Sequence, residues 1–281
     1  MEREKAFARV EQVIIGAATL VNFEGTLEEI LKFFSDSGFS IVEVKCEEPL
    51  FNPARVEGEA LRRLAELADS LSLRLALHSS YIDINLASLC DYTYKASLKA
   101  TRKCVELAGL LDACYLTVHC GTLSRDYPPG LFSKAWVRSK RAVSSLAKYA
   151  SEEGVVLGLE NKERASNRHL LVSPEEFTSF LEGLDSNVGV VYDVGHANTW
   201  GITEEGHLRF ISSLKDYLVA FHVHDNDGKS DQHLAVGEGK IRFDVLLPFM
   251  RKIEVPVILE VHSLRGLVES RKKLEEMLRA P

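Results

Sequence analysis

Five cysteines (Cys46, Cys90, Cys104, Cys114 and Cys120) are scattered along the 281 residues, an odd number with no CxxC pair. That spacing does not make a disulfide framework and suits reduced thiols. Cys120, next to His119, reads as a small buried thiol, with a nucleophile as the rarer alternative. No apolar run is long enough to span a bilayer, and the opening stretch MEREKAFARVEQ lacks the apolar core of a secretory leader. A cytoplasmic protein without a membrane partner is the expectation. Basic residues are not in excess: 34 Lys and Arg against 41 Asp and Glu give a formal net charge of −7, which counts against a general nucleic-acid surface but not against a local basic groove. Gly/Ser linkers, composition shifts and sequence repeats are also missing, so residues 1–281 read as a single domain.

What is present is an alternation of short apolar strands and amphipathic helices from end to end. Candidate strands are 13–18, 41–46, 73–78, 114–119, 155–160, 188–193, 217–222 and 256–260. Helical periodicity fills the stretches near 26–36, 57–71, 90–109, 131–152, 174–182, 203–214, 242–252 and 264–279. Thr26 with Glu29 and Ser173 with Glu176 have the spacing of capping boxes, and Pro174 occupies the favoured first helical position. Eight strand–helix units in this order are the pattern of an α/β protein built as a single (β/α)8 TIM barrel. A doubly wound open sheet also alternates, but it usually carries a glycine-rich phosphate loop after its first strand; here that strand runs into GAATLVNFEGT.

Six of the eight strand segments end in a residue able to bind a metal: His78, His119, Glu160, Asp193, His222 and Glu260. In a parallel barrel the C-terminal strand ends share one rim, so these six side chains converge. Glu160 alternates with Gly158 and Val156, and Glu260 with Ile258, faces suited to a barrel interior where a bare carboxylate would be costly. Glu160, Asp193, His222 and Glu260, from four successive strands, suit a divalent ion such as Mn²⁺, Mg²⁺, Co²⁺ or Zn²⁺. Each taken singly could equally be a surface ion pair or a helix cap. Further candidates are His78, His119, His196, Asp231 and His233. Asp231 and His233 fall on one side of an extended segment, and a turn after Asp193 can return His196 to the rim. His224 shares a face with His222 and is assigned to a supporting position behind the ligands.

Charge separates two chemistries. One divalent ion against Glu160, Asp193 and Glu260 leaves a carboxylate free to accept a substrate proton. Three ions against those three and Asp231 leave a positive site that attracts a phosphate.

The segments HSSYIDINLAS (78–88), HCG (119–121), GLENK (158–162), YDVGHANTWG (192–201), HVHDNDGKSDQHLAVGEG (222–239) and VILEVHS (257–263) together resemble the xylose isomerase-like, AP endonuclease 2 superfamily of TIM barrels over almost the whole length. Within it the chain is most similar to the sugar phosphate isomerase/epimerase group. That resemblance implies one divalent ion held by Glu160, Asp193, His222 and Glu260, with the two glutamates doubling as acid and base. Endonuclease IV is a cousin with a trinuclear zinc site, whose nine ligands correspond here to His78, His119, Glu160, Asp193, His196, His222, Asp231, His233 and Glu260. Two departures count against a nuclease: its usual N-terminal GxHxS stretch reads GAATL (16–20), and its DRH signature reads DQH (231–233).

The leading expectation is therefore a metal-dependent isomerase or epimerase of a sugar or sugar phosphate, working through an enediolate. Glu160 and Glu260 would move the proton, and His196 would hydrogen-bond a substrate oxygen. The alternative is a trinuclear zinc phosphodiesterase acting at abasic sites in DNA, and the third option a non-catalytic binder on the same fold. Lys162, Arg164 and Arg168 read mainly as solvated charges, with a grip on a substrate phosphate as the alternative. The stretch 225–240 is the candidate lid. Trp136 and Trp200 read as core, with a substrate wall or a homo-oligomer interface as the other roles.

Overall fold

A computed structural model describes residues 13–165 and 167–279; the charged N-terminal stretch 1–12 lies outside the described residues. Eight parallel strands close into a barrel. We number them β1 (Ile15–Ala18), β2 (Ile41–Lys45), β3 (Arg74–His78), β4 (Leu116–Val118), β5 (Leu157–Glu160), β6 (Val188–Asp193), β7 (Leu218–Val223) and β8 (Val257–Leu259). Each pairs with its sequence neighbours, and β8 returns to β1 with Ile15 opposite Val257. All eight expected strands are there, β6 with the expected bounds and the others trimmed or shifted by one to three residues, and the eight expected helices surround them. Both capping boxes form: Thr26 and Ser173 accept from the backbone N–H of Glu29 and Glu176, whose side chains reach back to the caps.

Alternation along the strands divides the interior into two layers. Outward-facing side chains such as Leu75, Leu77, Val190, Tyr192 and Phe221 pack under the helices in the main core. Inward-facing Ala18, Ile41, Ala76, Tyr115, Val191, Ala220 and Ile258 form a separate apolar plug inside the barrel. Two residues further along, the same inward face carries Glu43, His78, Thr117, Asp193, His222 and Glu260, all buried. The apolar plug thus becomes the floor of a polar chamber at the C-terminal rim.

Three additions to this frame were not expected. A five-residue helix, Val194–Asn198, follows β6 directly. Thr122–Leu123 and Arg168–His169 pair as a small antiparallel ribbon over the β4 and β5 ends. The 225–240 stretch is anchored rather than free: Asp225 and Leu234 bridge through their backbones, and the buried Asp225 carboxylate accepts from the N–H groups of Asn226, Gly237 and Ile241. Trp136 packs edge-on against Phe180 in the helix layer, and Trp200 donates its indole N–H to Lys162 O near the rim. No helix among the described residues is long and apolar enough to cross a membrane.

Candidate active site

The chamber is organised around Glu160 at the end of β5. His119 Nε2 touches one of its oxygens and His78 Nε2 lies 3.5 Å from the same one. The other oxygen is 3.0 Å from His222 Nδ1 and 3.5 Å from His196 Nδ1. Asp193 and His222 are register partners on β6 and β7, and Glu260 Oε1 comes within 3.3 Å of His222 Nδ1. All nine side chains singled out in the sequence meet here. They fall into overlapping groups whose ligand atoms lie within 4.8 Å of one another: His78, His119 and Glu160; Glu160, Asp193 and His222; Glu43, His222 and Glu260; and His196, His224, Asp231 and His233.

Local structure explains how each is presented. Asp193 is the N-cap of the short helix after β6, accepting from His196 N at 2.6 Å. That turn carries His196 back over the rim. Asn161 bridges the ends of β5 and β6, accepting from Asp193 N at 2.7 Å and donating to Asp193 O at 2.8 Å. Asp231 and His233 stand side by side, 3.2 Å apart.

Backbone carbonyls also fix the imidazoles. Nδ1 of His78, His196 and His233 lies 2.8, 2.9 and 2.6 Å from the carbonyls of Ser79, Asn161 and Glu260. A carbonyl can only accept, so each Nδ1 donates, and in the neutral ring Nε2 is then the atom left to bind a cation. This is the arrangement a metal-binding histidine needs. Asp193 Oδ2, Asp231 Oδ1 and Glu260 Oε1 are buried with no hydrogen-bond partner. Orphaned carboxylate oxygens beside lone-pair nitrogens are costly unless a cation joins them, and the donor set fits a divalent ion.

Three charged residues of the chamber, Glu43, Lys45 and Glu163, escaped the sequence reading, and Lys162, read mainly as a solvated charge, joins them. Glu43 Oε2 lies 3.0 Å from His222 Nε2 and accepts from Thr117 Oγ1. Lys45 Nζ pairs with Glu260 at 2.9 Å. Burial pushes the Lys45 ammonium down, but Glu260 outweighs it and holds the lysine above its ordinary value; burial likewise pushes Glu260 up, and Lys45 with His222 holds it below the usual carboxylate range. Lys162 pairs with Glu163 at 2.9 Å, and although burial opposes it, that lysine brings Glu163 down to about 2. The signal was available on β2: Glu43 and Lys45 alternate with Ile41, two charges on the inward face of an apolar strand. Two added acids and two added bases cancel, so the charge balance read from the sequence is unchanged.

Above the ligands opens a cavity of about 620 Å³, with Lys45, Tyr81, Lys162, Glu163, His169 and His262 in its walls. Of the three basic residues after β5, only Lys162 faces it; Arg164 is exposed, and Arg168 donates to Tyr127 O. Cys120 is buried, and burial pushes its thiol up, which fits the small buried thiol read from the sequence. His224 stands beside Asp193 and Asp231. It is buried, its Nε2 lies 3.3 Å from both Asp193 Oδ1 and Asp231 Oδ1, and neither ring nitrogen has a hydrogen-bond partner.

Comparison with known proteins agrees with this architecture. The family described as xylose isomerase-like TIM barrel matches residues 31–280. An uncharacterized protein of Methanocaldococcus jannaschii is 28% identical over 94% of this chain and 88% of its own length. A probable endonuclease 4 of Thermoplasma volcanium is 30% identical over 78% of this chain and 80% of its own. Among solved structures, a D-tagatose 3-epimerase-like protein superposes with a TM-score of 0.83 at 28% identity, covering 94% of this chain and 96% of that one.

Proposed function

Because the chain belongs to the xylose isomerase-like TIM barrel family, we propose that it is a divalent-metal-dependent isomerase or epimerase acting on a sugar or sugar phosphate. One observation carries the reading: Glu160 and Glu260 reach the same point of the chamber from β5 and β8, with oxygens 3.0 and 3.3 Å from His222 Nδ1. Two carboxylates converging from different strands can take a proton from one face of a carbon and return it to the other face or to the next carbon. Similarity to the D-tagatose 3-epimerase-like structure supports the same class.

Glu160, Asp193, His222 and Glu260 would hold the ion, which supplies Lewis-acid polarisation of a substrate carbonyl and so acidifies the neighbouring C–H. Lys45 keeps Glu260 ionised and ready as a base. Tyr81, Lys162 and His169 line the cavity where the rest of the sugar would lie. His196 lines the same cavity and would hydrogen-bond a substrate oxygen.

The test is exchange of solvent deuterium into a panel of ketoses and ketose phosphates. Glu160→Gln is expected to fold normally and to abolish exchange; retained exchange would remove Glu160 from the proton-transfer role.

A trinuclear phosphodiesterase is the second reading, favoured by the gathering of all nine candidate ligands in one chamber and by the endonuclease 4 relative. Against it, Gln232 offers no cation to a phosphate, and its Oε1 accepts from Asp227 N within its own loop. Incision of an abasic-site duplex, erased by His78→Ala, would establish this reading instead.

A further inference from the structure

Over the whole chain acids outnumber bases, 41 to 34, yet two neighbouring helices reverse that balance. Asp91–Leu110 holds four Lys and Arg against two acids, and Phe132–Glu152 holds five against one. They lie side by side outside the barrel and run in the same direction. Near their starts Arg138 pairs with Asp91 and packs over the Tyr94 ring at 4.2 Å; further along, Arg102 packs over the Tyr149 ring at 4.0 Å. Lys95, Lys99 and Arg102 recur at the spacing of one helix face, and Lys134, Arg141 and Lys148 recur at every seventh residue of the other helix. All six are exposed. With a rise of about 1.5 Å per residue and helix axes about 8–10 Å apart, they form two parallel rows, about 10 and 21 Å long.

We infer that this outer face binds the phosphate chain of a single-stranded nucleic acid, with Tyr92 as a platform for one of its bases. The site lies on the helix layer and shares no residue with the chamber, so it goes beyond the isomerase reading and neither depends on the other.

The six cations lack the partners that ordinary surface charges have. Of the acids on these helices, Asp91 is taken by Arg138 and Glu106 by Lys103, while Glu152 lies at the far end beyond Lys148. None of the six has an ion-pair partner among the described residues, and Arg102 is held by an aromatic ring that leaves its N–H groups for a phosphate. Other helices show the contrast: Arg62 and Arg63 pair with Glu66 and Glu59, and Arg265 and Arg271 pair with Glu269 and Glu275, each one turn away. Two unpaired rows of one sign repel each other. A polyanion relieves that repulsion and gains from releasing its own counterions.

The same face is poorly suited to other anionic partners. Its exposed large hydrophobics are Tyr92, Val137 and, at one helix end, Leu110, too few for the apolar centre of a protein interface or for an interfacial membrane helix. A second copy docked through a two-fold axis would set cation against cation. A phosphate chain needs no apolar centre. Tyr92 is 87% exposed and sits one turn before Lys95 at the head of its row, where an unpaired base can stack on the phenol ring. A duplex keeps its bases stacked and makes no use of that ring.

Fluorescence anisotropy of the full chain with labelled oligo(dT) and oligo(U), long enough to span both rows, tests the inference. With all six cations engaged, log affinity is expected to fall against log salt with a slope near about −4, at about 0.7 per contact; a slope shallower than about −1 would overturn the inference. Binding of either strand supports it, and the tighter one identifies the sugar. Lys99→Gln combined with Arg141→Gln should flatten the slope by about 1.4. Tyr92→Ala should weaken binding roughly 5-fold or more. These side chains are exposed, so circular dichroism should be unchanged. Arg63→Gln, which removes a paired cation from another helix, should leave binding as it was; an equal loss there would reduce the effect to overall charge and overturn the inference. Affinity should also survive chelation, since loss on chelation would move the strand to the chamber. Tighter binding of a matched duplex, of polyglutamate or of phosphatidylserine vesicles would likewise overturn it.

Discussion

Glu43 and His222, 179 residues apart in sequence, are joined at 3.0 Å, and the other nitrogen of the same ring faces Glu160 at 3.0 Å. The imidazole is thus held between a carboxylate that orients it and a carboxylate that, in the proposed reading, would share its ion. Such outer carboxylates fix the tautomer and raise the basicity of the ligand nitrogen.

Glu43→Gln is therefore expected to weaken divalent-ion affinity by roughly 10–100-fold while leaving the fold intact. Calorimetric titration of the stripped protein measures it. An unchanged affinity would mean that Thr117 and the barrel walls suffice to orient His222.

Lys45 and Glu260 form a buried pair at 2.9 Å, with both side chains almost inaccessible. Removing one member strands the other charge, so Lys45→Met is expected to cost about 3–5 kcal/mol in the metal-free protein. Urea unfolding in chelator reads this out. Lys45→Met combined with Glu260→Leu should recover most of the loss, and a cost below about 1 kcal/mol for the single change would place the pair with weak surface bridges.

His207, buried beneath β6, has Nδ1 2.7 Å from the Tyr192 hydroxyl. Burial, only partly offset by Glu204, pushes His207 down from 6.5 to about 4. Between those values the unfolded chain binds a proton that the native protein does not. The associated stability is present above about pH 6.5 and is lost as pH falls toward 4, a difference on the order of 3 kcal/mol. Unfolding free energies of wild type and His207→Gln, compared from pH 7.5 to 4, should converge as the pH drops; parallel curves would show that His207 does not stay neutral in the native state.

Gly158 lies on the inward face of β5 below Glu160, where an added Cβ would meet Val191 Cγ2 at 2.6 Å and Val219 Cγ2 at 2.9 Å. Both neighbours are β-branched and stiff. Gly158→Ala is expected to destabilise by about 1–3 kcal/mol, and Val191→Ala in the same chain should offset part of that. Denaturant midpoints at constant slope would establish it.

Much of this molecule was legible in one dimension. Period-two alternation located the strands and 3.6-residue periodicity the helices. Thr26–Glu29 and Ser173–Glu176 announced two helix starts. The candidate ligands at the strand ends were visible because parallel strands carry their C-termini to one rim whatever the details of packing. Glu43 and Lys45 were within reach of the same logic, since a charge alternating with Ile41 must face the barrel axis.

The sequence by itself determined which residue types stand at which strand ends, because periodicity is a property of the backbone and survives without neighbours. Only the tertiary structure decided who meets whom. Glu43 finds His222, and His224 turns toward Asp231, through barrel closure, inter-strand register and the close approach that Gly195 allows. Those contacts are set by how eight strands close around one axis, a relation between distant segments that no local pattern contains.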